Sequence, residues 1–301
     1  MTGSVDLFPG FESRYIATDE GSVFCRIGGP IGAEPLALLH GFPQTHAMWH
    51  RLAPALAKTH RVILMDLRGY GWSSAPVGSA DHATYSKRAM AMDVLRIVDD
   101  LGHTRFALAG HDRGGRVGYR LALDHPGRVS RLALLDIVPT IVMWERIEAS
   151  PSPLTDHWPF LARPEPEPES ALLAEPANWL EQKLAGWSKA KDLSAFDPHA
   201  LRAYHQAFAV PERIHAFCED YRAGATLDRA HDALSRARGE TIACPVHILW
   251  GNAGIPAAGA SPIDAWHAFA PRATGEAIDS GHFLAEENPT ATLAALERFF
   301  S

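Results

Sequence analysis

A chain of 301 residues, 47% of them hydrophobic, can bury a sizeable core in one large domain or two small ones. Its formal net charge is −7, and it has no long run of Lys or Arg, which argues against nucleic acid as the main partner because phosphate binding needs a basic patch. No stretch is long and apolar enough to span a bilayer, so we expect no membrane partner.

Short apolar runs alternate with helix-length segments, a pattern typical of an α/β fold with a mainly parallel central sheet. Two antiparallel edge strands are expected first, at Tyr15–Ala17 and Val23–Ile27. Six core strands follow, each short, mostly apolar and bounded by Gly, Pro or charge, as expected for strands covered on both faces. In chain order they are Pro35–Leu39, Arg61–Met65, Phe106–Ala109, Arg131–Leu135, Val246–Trp250 and Gly275–Ile278.

The clearest predicted helix is Lys87–Leu101, in which apolar residues recur at helical spacing. The alternation of strands and helices stops after Pro139 and resumes near Cys244. The segment between them is rich in Pro, Trp and charge, and its apolar residues follow helical spacing. We predict a helical cap over residues 140–225, inserted into a core of residues 1–139 and 226–301. A separate domain is the alternative.

The motif Gly110-His111-Asp112-Arg113-Gly114 carries the main chemical signal. It follows the predicted strand Phe106–Ala109 and precedes a helical stretch, Arg116–Leu123. A Gly-x-nucleophile-x-Gly turn in this context resembles the nucleophile elbow of the α/β hydrolases. The central residue is usually Ser but here is Asp112, which disfavours serine-type esterase activity. An Asp that merely caps the helix is the alternative, which the two glycines and the strand–helix context disfavour.

An aspartate at this position predicts attack without a base. A carboxylate with an ordinary pKa near ~3.9 is ionised at neutral pH and can attack a saturated carbon. The attack expels a leaving group and forms an alkyl ester of Asp112, which a histidine must hydrolyse by activating water. The candidate is His282, between the last predicted strand and the C-terminal helix around Pro289–Phe300, where this chain order places its base.

The acid that orients His282 has two candidates. The loop after the strand Val246–Trp250 contains no acid before Asp264, which belongs to the first turn of a predicted helix. Asp136 directly follows the strand Arg131–Leu135, so it is the preferred residue to hold the imidazole tautomer and stabilise the imidazolium. Asp264 is the runner-up.

The loop His40-Gly41-Phe42-Pro43 follows the strand Pro35–Leu39. In this fold that loop supplies one backbone N–H of the oxyanion hole, and the residue after the nucleophile supplies the other. We therefore assign the two donors to Phe42 and Arg113.

Two arginines near the nucleophile indicate the class of substrate. Arg113 adjoins Asp112, and Arg116 follows it by four residues on the same helix face. An anionic substrate ~4 Å from the nucleophile is repelled by roughly 4 kcal/mol at an effective dielectric of ~20. An arginine clamp offsets that repulsion and aims the α-carbon at Asp112. A structural ion pair is the simpler alternative, but an acidic substrate explains both arginines and a neutral epoxide or haloalkane does not.

The chain resembles the fluoroacetate dehalogenase family of the α/β hydrolases over nearly its whole length. The motifs that carry the resemblance are His40-Gly41-Phe42-Pro43-Gln44-Thr45-His46, Gly110-His111-Asp112-Arg113-Gly114, Arg116, His157-Trp158, Cys218-Glu219-Asp220-Tyr221-Arg222-Ala223-Gly224 and Ser280-Gly281-His282-Phe283. The resemblance implies a cofactor-free hydrolase acting on carbon–halide bonds. Its substrates would be water and a small anionic haloacid such as fluoroacetate, converted to the 2-hydroxy acid and halide. The family is often homodimeric.

The resemblance also implies a role for each matching residue. The roles are Asp112 as nucleophile, His282 as base, Asp136 as its orienting acid, Arg113 and Arg116 as ligands of the substrate carboxylate, and His157, Trp158 and Tyr221 as the halide pocket. Fluoride is a poor leaving group, and its departure needs hydrogen-bond donors where negative charge develops. An imidazole N–H, an indole N–H and a phenol O–H are such donors.

Two segments depart from the family pattern. The run Ser150–Asp156 is rich in proline, and Asp156 stands where the family tends to have an aromatic residue. The loop Asn252–Ala260 also differs from the expected pattern. We expect these changes to bear on halide preference more than on the catalytic residues.

Two rival functions remain open. An epoxide hydrolase shares the Asp nucleophile and the ester intermediate and opens the ring with two cap tyrosines, for which Tyr204 and Tyr221 are candidates. A non-catalytic ligand-binding protein of the same fold is the rival from another class. The presence of Asp112, His282 and an available acid argues against it.

The remaining composition favours a cytoplasmic protein without a metal. The first 13 residues have neither the basic region nor the apolar run of a signal peptide. Cys25, Cys218 and Cys244 have no paired spacing, so we expect a reducing compartment. His46 and His50 lie four residues apart, but no third ligand accompanies them.

Overall fold

The computed structural model describes residues 5–257 and 261–301, and eight strands form one sheet within them. The strands are β1 (Glu12–Thr18), β2 (Gly21–Gly28), β3 (Pro35–Leu39), β4 (Arg61–Met65), β5 (Phe106–His111), β6 (Val129–Leu135), β7 (Val246–Gly251) and β8 (Thr274–Ile278). Their order across the sheet is β1-β2-β4-β3-β5-β6-β7-β8. The pairs β1–β2 and β2–β4 are antiparallel, and all the other neighbours are parallel.

All eight predicted strands are present, and the α/β-hydrolase fold class is confirmed. The bounds of β3 and β4 are the predicted ones, and the other core strands extend one or two residues further. Every residue of β3 and β5 is buried. The apolar residues on both faces of these strands explain why they read as short continuous runs rather than as alternating patterns.

Helices cover the sheet and fill the long connection between β6 and β7. The α-helices of the described residues are α1 (Ala53–Leu56), α2 (Lys87–Asp100), α3 (Arg113–Asp124), α4 (Thr140–Ala149), α5 (His157–Leu161), α6 (Glu167–Ala174), α7 (Pro176–Trp187), α8 (Pro198–Phe208), α9 (Pro211–Ala223), α10 (Arg229–Ala237), α11 (Pro262–Ala265), α12 (Leu284–Glu287) and α13 (Pro289–Phe300). Helix α2 begins at the predicted residue because Ser86 caps it by accepting from the Ala89 N–H. It ends at Asp100, one residue before the predicted end.

The connection between β6 and β7 is helical throughout its regular structure, with α4 to α10 and a π-helical turn at Gly224–Asp228. The proline-rich run Ser150–Asp156 separates α4 from α5, as expected for residues that interrupt a helix. Helix α10 packs against α4, so helical structure continues beyond residue 225. The division into a cap of residues 140–225 and a core of residues 1–139 and 226–301 stays a prediction.

Candidate active site

Asp112 lies in a sharp turn between the end of β5 and the first residue of α3. Its backbone has φ 43° and ψ −113°, a positive φ that few residues other than glycine adopt. The turn has no space for side chains at its two glycines. A Cβ on Gly110 would lie 2.5 Å from the Gly114 carbonyl oxygen, and one on Gly114 would lie 2.4 Å from the His40 carbonyl oxygen. The Asp112 side chain makes no capping hydrogen bond to α3, so helix capping does not explain this residue.

The loop after β3 holds the Asp112 carboxylate. The backbone N–H of Phe42 donates to Asp112 Oδ1 at 3.1 Å. His40 shapes the loop, because its Nε2 accepts from the Leu67 N–H and its Nδ1 donates to the Gly41 carbonyl oxygen, both at 3.0 Å. Phe42 therefore directs its N–H at the oxygen on which negative charge would develop during hydrolysis of an Asp112 ester. The matching role of the Arg113 backbone N–H stays a prediction.

His282 and Asp136 form a buried hydrogen-bonded pair. His282 Nδ1 donates to Asp136 Oδ2 at 2.6 Å. The other oxygen of Asp136, Oδ1, accepts from the Gly251 N–H at 2.9 Å. The backbone N–H of His282 donates to the carbonyl oxygen of Trp187 at 2.9 Å. Because Nδ1 is committed as a donor, Nε2 is the nitrogen left to take a proton from water.

The geometry favours Asp136 over Asp264 as the partner of His282. Asp264 lies in the short helix α11. In the loop after β7, Gly254 packs against Asp136, and a Cβ there would lie 2.5 Å from Asp136 Oδ1. The carboxylate from the neighbouring strand therefore occupies the space beside His282, and Gly254 has no room for a side chain.

Burial and neighbouring charges set the protonation states of these residues. Burial alone would raise the pKa of Asp112, but the charges of Arg113 and His282, with others nearby, lower it below the ordinary range. Burial alone would lower the pKa of His282, but its hydrogen bond with Asp136 raises it above 6.5. Asp112 is therefore ionised at neutral pH, and His282 has an increased proton affinity.

Both predicted arginines are buried in α3, but only Arg116 lines the cavity beside Asp112. Arg116 Nη1 donates to the Val138 carbonyl oxygen at 3.0 Å and to Thr140 Oγ1 at 3.2 Å. These two bonds fix the guanidinium group near the nucleophile, where it can pair with a carboxylate.

Arg113 lies against ring faces rather than in the cavity wall. Its guanidinium carbon is 3.5 Å from the ring centroid of Tyr221 and 4.7 Å from that of Trp158. No described residue accepts a hydrogen bond of ordinary geometry from Nε, Nη1 or Nη2 of Arg113. Buried guanidinium donors are normally satisfied, so Arg113 keeps donors for a ligand oxygen besides Nη1, which lies 3.5 Å from Asp220 Oδ1.

His157, Trp158 and Tyr221 lie together although α5 and α9 are far apart in sequence. The Tyr221 ring centroid is 5.6 Å from that of His157 and 5.7 Å from that of Trp158. All three residues line one cavity with Asp112 and His282. The cavity volume there is about 10 Å³, enough for about one water molecule.

The His157 imidazole is neutral and has an unpaired nitrogen. Burial, with smaller contributions from Lys183 and Arg113, lowers the pKa of His157 well below 6.5. Within the described residues, Nδ1 of His157 has no hydrogen-bond partner. A neutral imidazole keeps one N–H, so a halide in the cavity could receive a hydrogen bond from it.

Three residues that line the cavity were missed by the sequence analysis, namely Met143, Trp187 and Ile255. The Trp187 ring lies 4.5 Å from that of His157 and 5.8 Å from that of His282, centroid to centroid. Its only sequence signal is a tryptophan in a helical segment. Met143 and Ile255 had no signal, since ordinary apolar residues are indistinguishable from core.

Tyr204 and Tyr221, the two tyrosines considered for epoxide opening, do not both line the described cavity. Tyr204 donates to Glu286 Oε1 at 3.1 Å and accepts from Gln44 Nε2 at 3.3 Å. Tyr221 belongs to the described cavity lining and Tyr204 does not.

Of the two segments that differ from the family pattern, one contributes to the described cavity lining and the other does not. Asp156 is exposed and pairs with Lys183 Nζ at 3.3 Å, outside the described cavity lining. In the loop Asn252–Ala260, Gly254 contacts Asp136 and Ile255 lines the cavity, while residues 258–260 lie outside the described residues.

The described ranges contain no group of three or more His, Cys, Asp or Glu residues placed to hold a metal ion. His46 instead pairs with Asp66, with 2.9 Å between Nδ1 and Oδ1. None of the described helices is both long and apolar enough to cross a membrane. Cys25, Cys218 and Cys244 form no disulfide.

Comparisons with known proteins agree with this fold. A family model described as the alpha/beta hydrolase fold matches residues 34–289. A fluoroacetate dehalogenase from Burkholderia sp is 42% identical over 98% of this chain and 95% of its own length. A soluble epoxide hydrolase from Corynebacterium sp. (strain C12) is 31% identical over 89% of this chain and 90% of its own.

A solved structure shows the same likeness. The crystal structure of a protein from Nostoc sp PCC 7120, described as an α/β hydrolase, is 44% identical and has a TM-score of 0.92. The match covers 97% of this chain and 98% of that one. The chain therefore belongs to the α/β hydrolases, and its resemblance to the fluoroacetate dehalogenases within that family is confirmed.

Proposed function

We propose that this protein hydrolyses a small haloacid, such as fluoroacetate or chloroacetate, to the 2-hydroxy acid and halide. The observation that carries the proposal is the composition of one small cavity, in which an ionised Asp112 lies with the cation Arg116, the base His282 and three polar aromatic side chains. The similarity to a fluoroacetate dehalogenase over 98% of the chain supports it.

In the first step an Asp112 oxygen attacks the α-carbon, and the carbon–halide electron pair leaves with the halide. Arg116 pairs with the substrate carboxylate and offsets its repulsion from Asp112. Arg113 supplies further donors, which reach the carboxylate when its guanidinium turns away from the Tyr221 ring. Donors from His157, Trp158 and Tyr221 stabilise the departing halide.

In the second step His282 takes a proton from water, and the resulting hydroxide adds to the carbonyl carbon of the Asp112 ester. The Phe42 N–H stabilises the oxyanion, and Asp136 stabilises the imidazolium. Collapse of the adduct expels the alkoxide, which receives the proton from His282 and leaves as the 2-hydroxy acid. The overall reaction consumes one water and releases halide and one proton.

Epoxide hydrolysis is the second candidate, because the relative from Corynebacterium sp. is named as a soluble epoxide hydrolase. The separation of Tyr204 from the cavity counts against a tyrosine pair. The small cavity and the cation Arg116 also favour a small anion over a bulky neutral epoxide.

The test is incubation of the purified protein with fluoroacetate, chloroacetate and styrene oxide in separate reactions. We expect free halide and glycolate from the haloacids, lost in Asp112→Ala, and no diol from the epoxide. Chloride without fluoride would keep the mechanism and remove fluoroacetate as a substrate. Diol without halide would overturn the proposal in favour of the second candidate.

Assembly as a homodimer and a cytoplasmic location, both expected from the sequence, stay predictions. Light scattering on the purified protein would test the first, and cell fractionation the second.

A further inference from the structure

A buried chain of alternating charges extends from Arg113 away from the cavity. Arg113 Nη1 lies 3.5 Å from Asp220 Oδ1. The same Asp220 oxygen contacts Lys87 Nζ, and Lys87 Nζ lies 3.4 Å from Asp228 Oδ2. The side chains of all four residues are at most 3% exposed, so solvent screens these charges little.

Asp220 is itself held in place from several sides. Tyr70 donates from its hydroxyl to Asp220 Oδ2 at 2.7 Å. The Lys87 backbone N–H donates to Asp228 Oδ1 at 2.8 Å, which fixes the start of α2 and with it the position of the Lys87 side chain. Asp220 therefore has a defined position from which to orient a neighbouring cation.

Arg113 has few other constraints. Its three guanidinium nitrogens make no hydrogen bond of ordinary geometry within the described residues, and its guanidinium group lies against the ring faces of Tyr221 and Trp158. Ring faces attract a cation but leave it free to rotate in their plane. Asp220 is the carboxylate outside the cavity that can define which edge of the guanidinium remains available.

Without a second cation beside it, Asp220 would neutralise the charge of Arg113. A substrate carboxylate would then find no net positive charge at this arginine. Lys87 contacts the Asp220 oxygen that faces Arg113 and so takes up part of its negative charge. Asp220 can thus orient Arg113 while Lys87 shares its negative charge.

We propose that Asp220 and Lys87 are positioning residues for Arg113, in which Asp220 orients the guanidinium and Lys87 preserves its attraction for the substrate carboxylate. This inference rests on the proposed function for the role of Arg113. Its first test measures ligand binding and needs no turnover, so the positioning role and the haloacid function can fail separately.

The first test is the affinity for acetate, a carboxylate without a leaving group, measured from the fluorescence of the tryptophans that line the cavity. In Lys87→Met, Arg113 is the cation that still pairs with Asp220 among the described residues, and we expect acetate to bind about tenfold more weakly. The double variant Lys87→Met/Asp220→Asn removes both charges of the pair, which is better tolerated than breaking it. We expect its acetate affinity to return to within about threefold of wild type.

The second test is steady-state kinetics of Asp220→Asn with chloroacetate. The cation remains but its anchor is weakened, so we expect kcat to fall about tenfold while KM stays unchanged or decreases. A purely structural loss would lower thermal stability without this separation of kcat from KM. The matched control is Glu169→Gln, which breaks a buried pair with Arg222, also on α9, and should leave both parameters within about twofold.

The outcomes separate the two proposals. Halide release by wild type, with Lys87→Met and Asp220→Asn both behaving like the control, would overturn the positioning role alone. No halide release, with acetate binding weakened in Lys87→Met and recovered in the double variant, would overturn the haloacid function alone. No acetate binding to wild type, or a double variant weaker than Lys87→Met, would also contradict the positioning role.

Discussion

The residues proposed to carry out the chemistry and those proposed to surround the leaving group are held in different ways. Asp112 and Asp136 follow adjacent parallel strands, and their backbone N–H groups donate to Leu135 and Leu249 of the next strand, at 3.2 Å and 2.8 Å. His157, Trp158 and Tyr221 come instead from helices between β6 and β7, and ring packing brings them together.

Because of this difference, reaction type and substrate preference can depend on different parts of the protein. A nucleophile and base fixed by a sheet can keep their geometry while the helices above them vary. A fluoroacetate dehalogenase and a soluble epoxide hydrolase both resemble this chain over most of its length, as expected if the core is shared and the helical connection selects the substrate. The predictions below test that separation.

The largest expected effect on halide release comes from removing the Asp112 carboxylate. Asp112→Ala should lower halide release from every haloacid by at least about 10⁴-fold, because no other group at the elbow can form the ester. Halide electrodes and product analysis measure it. The matched control is Glu181→Ala, an exposed acid of α7, which should stay within about twofold of wild type. Equal losses in both variants would remove the distinction between the two regions.

The residues of the proposed halide pocket should affect release of fluoride more than release of chloride. Tyr221→Phe removes one O–H donor, and we expect fluoride release to fall about tenfold to a hundredfold. Chloride release should fall less than about threefold, because chloride leaves more easily without a donor. Competition between the two substrates in one assay measures the ratio.

Tyr204→Phe is the matched control for that experiment, since Tyr204 is a buried tyrosine bonded to Glu286 outside the described cavity lining. It should leave the fluoride to chloride ratio unchanged. A fluoride to chloride ratio that shifts equally in both variants would mean that Tyr221 acts through packing of the surrounding helices rather than on the halide.

The two chemical steps should differ in pH dependence. Ester formation needs ionised Asp112, whose pKa lies below the ordinary range, so its rate should be flat from about pH 5 to 9. Ester hydrolysis needs neutral His282, whose pKa its hydrogen bond with Asp136 raises above 6.5 despite burial. Hydrolysis should therefore slow about tenfold per pH unit below that pKa. Rapid-quench kinetics resolve both steps, and a parallel decline of the two would contradict the assignment of His282 to the second step alone.

The smallest expected effect is a change in the pH dependence of thermal stability. It comes from Glu286, a buried carboxyl where the helical connection meets the core. Burial raises the pKa of Glu286 to about 8, against an ordinary value of 4.5, and Glu286 bonds to Gln44 of the core and Tyr204 of α8. The folded state therefore binds more protons than the unfolded state between these values, and stability falls as the pH rises through that window.

Glu286→Gln removes this titration. We expect the melting temperature of wild type to fall by about 2–6 °C more than that of the variant between pH 6 and pH 9. Calorimetry measures it, and Glu297→Gln, an exposed glutamate of α13, should behave like wild type. Identical pH profiles for wild type and Glu286→Gln would show that Glu286 is ionised in the folded protein.

The sheet and the turn at Asp112 could be predicted from the sequence because their signals are local. Short apolar runs bounded by Gly or Pro predicted the strands, and the two glycines around Asp112 predicted the sharp turn. The preference for Asp136 over Asp264 needed only the rule that neighbouring parallel strands end at the same edge of the sheet. The hydrogen bond between His282 and Asp136 agrees with that preference.

Contacts across the fold could not be predicted in the same way. Trp187 and Ile255 reach the cavity from segments that carry no motif. Residue spacing placed Arg116 on the same helix face as Asp112, but it could not predict the stacking of Arg113 on Tyr221, because the two residues lie in helices far apart in the sequence. The extension of helical structure beyond residue 225 also depends on the packing of α10 against α4.

The most direct test of the central claim is to trap the ester. His282→Ala, mixed with chloroacetate and digested, should yield a peptide with a carboxymethyl group on Asp112, formed with one halide released per protein molecule. Mass spectrometry of that peptide locates the added group. Modification of Asp112 in the variant and none in wild type at steady state is the result expected from covalent catalysis. Halide release by wild type without any adduct on Asp112 in the variant would contradict the proposed mechanism.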